Sequence, residues 1–287
     1  MSLQSPLVSI IMCNYNYGRF IAEAIESVLA QTYPNFELII VDDGSNDNSR
    51  EVITSYRNSK IQTIFQENEG QAAAFNAAFM LAQGEIISFL DSDDWWKPEK
   101  LQTVARWHEF LKQDYAILQH GLEIWDQGQT RPYKIVLPVG DCFAEMQHSN
   151  RINFFVPTSG LSFPKTMLEQ IFPIPTIFRI AADAYIMRTT FVFGKVYSIP
   201  DSLGYYRKHN NAVFENNDFN ANAFFNEMLF PALNEFYRIK GFDYQIKQNQ
   251  HATQVASARP VVTKSHKPEV PNPMLRFLSR VKHKLRI

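Results

Sequence analysis

Asp91, Asp93 and Asp94 place three carboxylates within four residues, directly behind the apolar run EIISFL. Carboxylate oxygens are hard ligands suited to a divalent cation. A cation held there would stabilise negative charge on a departing diphosphate. The competing use is a tight turn with Asp94 capping the next helix. A second pair, Asp42 and Asp43, follows the run FELIIV and precedes Gly44-Ser45. Two carboxylates at a strand end can accept hydrogen bonds from the ring N–H of a base or from ribose hydroxyls, and Gly44 permits the bend. Here too a capped turn is the plain alternative. Two such clusters at equivalent strand ends argue for one shared site.

The elements in front of the clusters must position them. Residues 7–12 form a short apolar, partly β-branched run, which predicts a buried strand. Residues 19–30 carry Phe20, Ile21, Ile25, Val28 and Leu29 at helical spacing. Residues 36–41 read as a strand, 48–56 as a helix behind capping residues, and 61–65 as a strand. The Ala-rich stretch 71–82 predicts a helix, 85–90 a strand, and 98–111 a helix with Pro in its first turn. This alternation predicts an α/β fold, a Rossmann-like, mostly parallel sheet flanked by helices. Ligands of such sheets sit outside the carboxyl ends of the strands, so both clusters should meet on one edge. Beyond 112 the pattern is less regular. Residues 116–125 and 133–137 predict two strands joined by the turn 126–129. The stretch 140–180 is loop-rich, with Pro157, Pro164, Pro173 and Pro175. Residues 183–193 predict a helix, 196–199 a strand, and 219–240 an aromatic-rich helix. Polar, Pro-bearing sequence from about 246 reads as a linker.

A chain of 287 residues fits one large domain, or one domain with an appendage. The formal charge of −1 argues against a nucleic-acid binder. Cys13 and Cys142 make no disulfide or metal pattern, which predicts a reduced, cytoplasmic setting. Residues 1–6 lack the basic flank and apolar run of a signal peptide. No apolar stretch reaches the ~18 residues of a membrane span. Both point to a soluble protein, or one held peripherally at the inner face of a membrane.

The segments SIIMCNYNYGRFIAEAIESVLAQTYPNFELIIVDDGSNDNS and GQAAAFNAAFMLAQGEIISFLDSDDWWKPEKL resemble family two of the glycosyltransferases. The similarity runs from about Val8 to about Asn211, and its order and spacing are far more specific than a lone DxD. It implies the A-type glycosyltransferase fold. It also implies an inverting enzyme that takes a sugar from a nucleotide-diphosphate donor, commonly with Mn²⁺ or Mg²⁺. By position, Asp43 would contact the base with Asp42 beside it, and Cys13 and Tyr15 would lie in the segment that wraps it. Asn68 and Gly70 begin the loop before the third helix. Asp91 would contact ribose or metal-bound water, Asp93 would be the main metal ligand, and Asp94 would share that role or cap the helix. Many relatives carry an Arg just before the Asn of the third helix; here Phe75 precedes Asn76, which puts a diphosphate-binding Arg there in doubt. The family's downstream carboxylate matches Asp183, in Ala181-Ala182-Asp183, as the base that takes the acceptor hydroxyl's proton. The alternative for Asp183 is an N-cap of the helix behind it. Tyr206-Arg207-Lys208-His209 is similar to the family's closing segment. Arg207 and Lys208 would then face the diphosphate and His209 the metal; a solvated charged loop is the alternative. His108 and His120 lack such a context and read as structural residues.

The resemblance divides the chain into a glycosyltransferase domain over 1–215, with a nucleotide-sugar-binding half (1–112) and an acceptor-side half (113–215). A helical extension over 216–245 and a linker with a basic tail over 246–287 follow. Residues 259–287 hold eight Lys/Arg and one acid, Glu269. Met274, Leu275, Leu278, Val281 and Leu285 lie at helical spacing among those charges. A basic amphipathic helix suits an anionic membrane surface, so 272–287 is a candidate peripheral contact near a glycan or lipid-linked acceptor. Packing on the domain, or a disordered charged end, is the alternative. A sugar nucleotidyltransferase would show a Gly-rich, Arg-containing loop where this chain reads CNYNYGRF. No GxGxxG follows a strand, which disfavours a NAD enzyme. A non-catalytic sugar-nucleotide binder or scaffold of the same fold is the remaining rival; intact acidic clusters speak against it.

Overall fold

Strands β1 (Val8–Asn14) and β2 (Phe36–Asp43) consist almost wholly of apolar residues up to their polar ends, and both are buried nearly throughout. That is the composition of strands covered on both faces. In the computed structural model, which describes residues 5–133, 140, 155–209 and 220–246, they pair in parallel with β3 (Ile61–Gln66) and β4 (Ile86–Phe89) in the order β3-β2-β1-β4. Helices α1 (Gly18–Leu29), α2 (Ser49–Ser55) and α3 (Gln71–Leu81) make the crossovers. The register sets Asn14 opposite Asp42 and Ile11 opposite Phe89. The segments after β1, β2 and β4 therefore leave from the same carboxyl edge.

The second half of the sheet is mixed. After β4 come β5 (Trp95–Trp96), α4 (Lys100–Leu111), the long β6 (Ile117–Asp126) and β7 (Gln129–Pro132). Strand β8 (Leu161–Pro164) lies antiparallel between β4 and β6, and β9 (Val196–Arg207) runs parallel to β6 with β5 on its outer side. The strand expected at 133–137 is corrected to Gln129–Pro132. Gln127 and Gly128 both have positive φ, 50° and 85°, the geometry of a two-residue hairpin turn, so the turn is shorter than the four residues predicted. Residues 134–137 lie outside the described residues. The loop-rich stretch hides β8 and the short helix α5 (Lys165–Leu168). All four residues of β8 are buried, so it shows no alternation. Strand β9 extends well past 199, through Pro200 and Gly204, because register shifts against β6 around Gly121 absorb the irregularity.

Helix α6 (Ala182–Thr190) is buried along nearly its whole length. The last described helix begins at Ala221–Ala223, widens into a π segment over Phe224–Leu229 and continues as Phe230–Ile239. The widened turn lies directly ahead of Pro231, which has no N–H to close the ordinary bond. Its Phe224, Leu229, Leu233 and Tyr237 share one core with Ile11, Ile39 and the α6 residues Tyr185 and Ile186. The Tyr237 hydroxyl donates to the Arg188 carbonyl at 2.6 Å. All described residues fall within one compact unit, Met1–Ala256. No described helix is long and apolar enough to cross a membrane. The tail at 272–287 lies outside the described residues.

Candidate active site

The loops behind β1, β2 and β3 are knitted together by the residues that the sequence singles out. Asp42 is fully buried and accepts from Asn14 Nδ2 at 2.9 Å, Ser45 Oγ at 2.5 Å and Arg50 Nε at 3.2 Å. Asp43 accepts from Gln66 Nε2 at 2.7 Å, Glu69 N at 2.9 Å and Gly70 N at 2.8 Å. Its carboxylate thus orders the Asn68–Gly70 turn, with acceptor capacity left over. Gly44 has φ 76°, and a Cβ there would meet Asn68 N at 2.6 Å, so this bend admits only glycine. Cys13 lies between the clusters. Burial first, then the charges of Asp91 and Asp43, push its thiol well up. Tyr15 is exposed at the rim.

Asp91, Asp93 and Asp94 offer oxygens that all lie within 4.8 Å of one another. Asp94 is buried and braced, accepting from Ser159 Oγ at 2.6 Å and from the Arg207 backbone N–H at 2.8 Å. It does not cap α4, whose first residue is Lys100 and whose cap is Glu99. The Asp91 backbone N–H donates to Ser159 Oγ at 3.1 Å, so one serine fixes both ends of the turn. Lost hydration first, then neighbouring carboxylates, push Asp91 and Asp94 well above the usual range. That repulsion is what a divalent cation relieves, and hard oxygens are the ligands it takes. The residues present fit such an ion.

Asp183 stands at the same edge. Thr158 Oγ1 donates to its Oδ2 at 3.0 Å, and the Asp183 charge reaches Asp91, whose carboxyl it helps to raise. Asp183 is the second residue of α6, and the cap position is Ala181, in the left-handed region at φ 52°, with no side-chain cap bond. The structure therefore does not give Asp183 the N-cap role. Its surroundings include Phe75, Phe89, Leu161 and Ile186, and burial among them raises its carboxyl. The buried Arg188 charge and the Thr158 bond oppose that rise. Arg188 is itself held down to about 10 by burial, so it stays charged at neutral pH.

The end of β9 closes the site. His209 Nε2 lies 2.8 Å from Asp93 Oδ2, and its ring packs on Phe20 and Tyr17 with centroids 4.9 and 5.5 Å away. Arg207 is 7% exposed. Its guanidinium sits over Phe20, Trp95 and Trp125, pairs with Glu23, and donates Nε–H to the Asp93 carbonyl at 2.8 Å. Lys208 Nζ is 3.9 Å from Asp126 Oδ2 on the β6–β7 hairpin. Arg207 thus braces Asp93 through its backbone, and Lys208 faces the hairpin. The position before Asn76 is the buried core residue Phe75.

Behind the acidic turn, His120 is fully buried. Its Nδ1 donates to the Gly121 carbonyl at 2.9 Å, and Nε2 has no hydrogen-bond partner among the described residues. Burial first, then Lys100, pushes its pKa down to about 3. The unfolded imidazole takes a proton near pH 6.5, so the folded state binds fewer protons between the two values. Its stability contribution is full above about 6.5 and is lost as pH falls toward 3. Urea unfolding between pH 6.5 and 4 should therefore show wild type losing stability faster than His120→Asn, by up to about 1.4 kcal/mol per pH unit. Parallel profiles would refute a neutral buried His120.

Sequence reasoning missed Tyr17, Thr158, Ser159 and Arg179. Tyr17 lies near Asp93 and Asp91, whose charges add to burial in raising its hydroxyl. Thr158 and Ser159 sit in a short 3₁₀ turn between prolines, where nothing periodic marks them.

The model of glycosyl transferase family 2 matches residues 9–172. An uncharacterised glycosyltransferase of Nostoc sp. is 43% identical over 213 residues, 70% of this chain and 65% of that protein. The chain thus spans just under two thirds of that relative's length. A relative in Escherichia coli is named UDP-Glc:alpha-D-GlcNAc-diphosphoundecaprenol beta-1,3-glucosyltransferase WfgD. It is 46% identical over 97 residues, 33% of this chain and 38% of its own. Among solved structures, S. aureus TarS 1–349 in complex with UDP-GlcNAc superimposes with a TM-score of 0.65 at 20% identity, covering 87% of this chain and 70% of that one. With the parallel half-sheet, the acidic turn at its carboxyl edge and the strand that returns to it, these likenesses make the chain a member of glycosyl transferase family 2 with the A-type glycosyltransferase fold.

Proposed function

We propose that this glycosyltransferase is inverting and metal-dependent, and moves a sugar from a nucleotide-diphosphate donor onto an acceptor hydroxyl in glycan or polysaccharide synthesis. The observation that carries the reading is the partly buried Asp183 carboxylate, held by Thr158 within electrostatic reach of Asp91. That puts a raised carboxylate beside the acidic turn on the edge that also holds Asp43. Asp43, with Asp42 behind it and Cys13, Tyr15, Asn68 and Gly70 around it, forms the base and ribose side. Asp93 and His209 would hold Mn²⁺ or Mg²⁺, with Asp91 beside them and Asp94 as a braced member of the set. When bound, that ion would supply charge stabilisation for the leaving diphosphate. Asp183 takes the acceptor proton, and its apolar surroundings keep its basicity above that of an ordinary carboxylate. Arg207 holds the strand end in place, and Lys208 lies next to it at the rim.

The TarS complex contains UDP-GlcNAc, and the WfgD name specifies a lipid-diphosphate acceptor. Both support a nucleotide-sugar donor and a glycan or lipid-linked acceptor, and the basic amphipathic pattern of 272–287 supports a peripheral contact at the inner face of a membrane. A panel of UDP-, GDP- and dTDP-sugars with Mn²⁺ tests the donor assignment. The matching donor, at about a hundred times its Kd, should raise the melting temperature by roughly 5–10 °C. Release of nucleotide from that donor in the presence of an acceptor separates an enzyme from a binder. Stabilisation without turnover across acceptors would leave a sugar-nucleotide-binding protein, and no stabilisation by any donor would reject the proposal.

A further inference from the structure

Arg179 lies on the exposed segment that leads into α6, four residues before Asp183. Its guanidinium reaches back over the loop behind β3. Nη1 donates to the Glu69 carbonyl at 3.0 Å, and Nη2 donates to the Asn68 carbonyl at 3.1 Å and to the Asn68 side-chain oxygen. The two backbones are also stitched together. Gln71 N donates to the Arg179 carbonyl at 2.9 Å and Ala72 N to the Phe178 carbonyl at 3.1 Å. In return, Ala182 N donates to Gln71 Oε1 at 2.8 Å, at the start of α6. The approach is so close that a Cβ on Gly70, at φ 95°, would meet Arg179 Cα at 2.6 Å.

The two sides of this seam carry different parts of the site. On one side, Glu69 N and Gly70 N are donors to Asp43. On the other, the left-handed Ala181 turns the chain into the helix of Asp183. A planar guanidinium can bridge several oxygens in fixed geometry, which an ammonium cannot. We infer that Arg179 is a positioning residue: it clasps the Asn68–Gly70 turn to the root of α6, and so fixes the Asp43 pocket and the Asp183 helix as one unit. The inference rests on the donor site proposed above.

The test uses the full chain with Arg179→Met and Arg179→Lys. Three quantities are measured: affinity for UDP or GDP with Mn²⁺ by calorimetry, amide hydrogen exchange, and melting temperature. Both variants should bind the nucleotide about tenfold more weakly, the scale of one lost charge-assisted arrangement. Exchange at Glu69 and Gly70 should quicken, while core amides of β1 and β2 stay protected. Gly70→Ala, which strains the seam from its other side, should weaken binding similarly. The double variant should then fall short of the product of the two losses. Wild-type affinity in Arg179→Lys would overturn the clasp in favour of simple charge contact. Unchanged exchange at residues 69 and 70 in Arg179→Met would overturn it outright. If wild type binds neither UDP nor GDP, the donor panel above decides the donor proposal, and the exchange measurement alone decides the clasp.

Discussion

Asp183→Asn should lower turnover about 10²–10⁴-fold, the usual worth of a positioned general base, while nucleotide affinity and melting temperature hold. The substitution keeps the shape and one carbonyl oxygen, so Thr158 still has an acceptor. It removes the group that takes the proton. Because Asp183 lies inside the first turn of α6, behind the cap position at Ala181, and Asn keeps an acceptor oxygen there, a helix-capping loss of about 1 kcal/mol is not expected. The pH profile adds an independent check. Burial raises the Asp183 carboxyl, and the base acts only when ionised. Wild-type turnover should therefore fall as pH drops through that raised value, at a higher pH than an ordinary carboxylate would give. Near-normal turnover in Asp183→Asn would end its assignment as the base. A dead variant with collapsed donor affinity would count against it too, since site disruption would then explain the loss.

Asp93→Ala should abolish the metal-dependent part of nucleotide binding and leave the fold intact. Asp93 is partly exposed, and its side chain meets His209 at the front of the turn. The bonds that hold the turn belong to others: Asp94 to Ser159 and Arg207, and Arg207 to the Asp93 carbonyl. The backbone carbonyl survives the substitution. EDTA should reduce wild type to the level of the variant, and added Mn²⁺ or Mg²⁺ should restore wild type alone. Asp94→Ala should differ, because it leaves the buried Arg207 N–H without an acceptor at a cost of about 1–3 kcal/mol. Full metal-dependent binding by Asp93→Ala would remove it from the ligand set.

Much of the first half of the chain was legible because its signals are local. Continuous apolar runs mark β1, β2 and β4, and the polar residues that end them mark the edge where Asp43 and Asp91 meet. The stretch beyond residue 112 was hidden for physical reasons. Strand β8 is short, central and buried on both sides, so it carries no period. Strand β9 bends at Pro200 and Gly204, and only its partner β6 makes it one strand. The site followed the same division. The acidic cluster pointed to Asp93, the family resemblance pointed to Asp183 and His209, and the structure brings all three to one edge. Orientation was beyond the sequence: Arg207 and Lys208 read as cations available to a diphosphate, and one is enclosed by aromatic rings while the other faces Asp126. Thr158, Ser159 and Arg179 act through contacts with residues distant in sequence, which no single-chain pattern announces.

The brace between Asp94 and Arg207 spans 113 residues, and the contact of Asp93 with His209 spans 116. A ribosome delivers the amino-terminal side first. The three aspartates therefore emerge long before the partners that orient them. Through much of synthesis the early strands can pair while the acidic turn remains unbraced, and Asp91 waits on Ser159, 68 residues later. The acidic edge is completed only when β9 arrives, so the order of birth separates formation of the parallel half-sheet from completion of the proposed site.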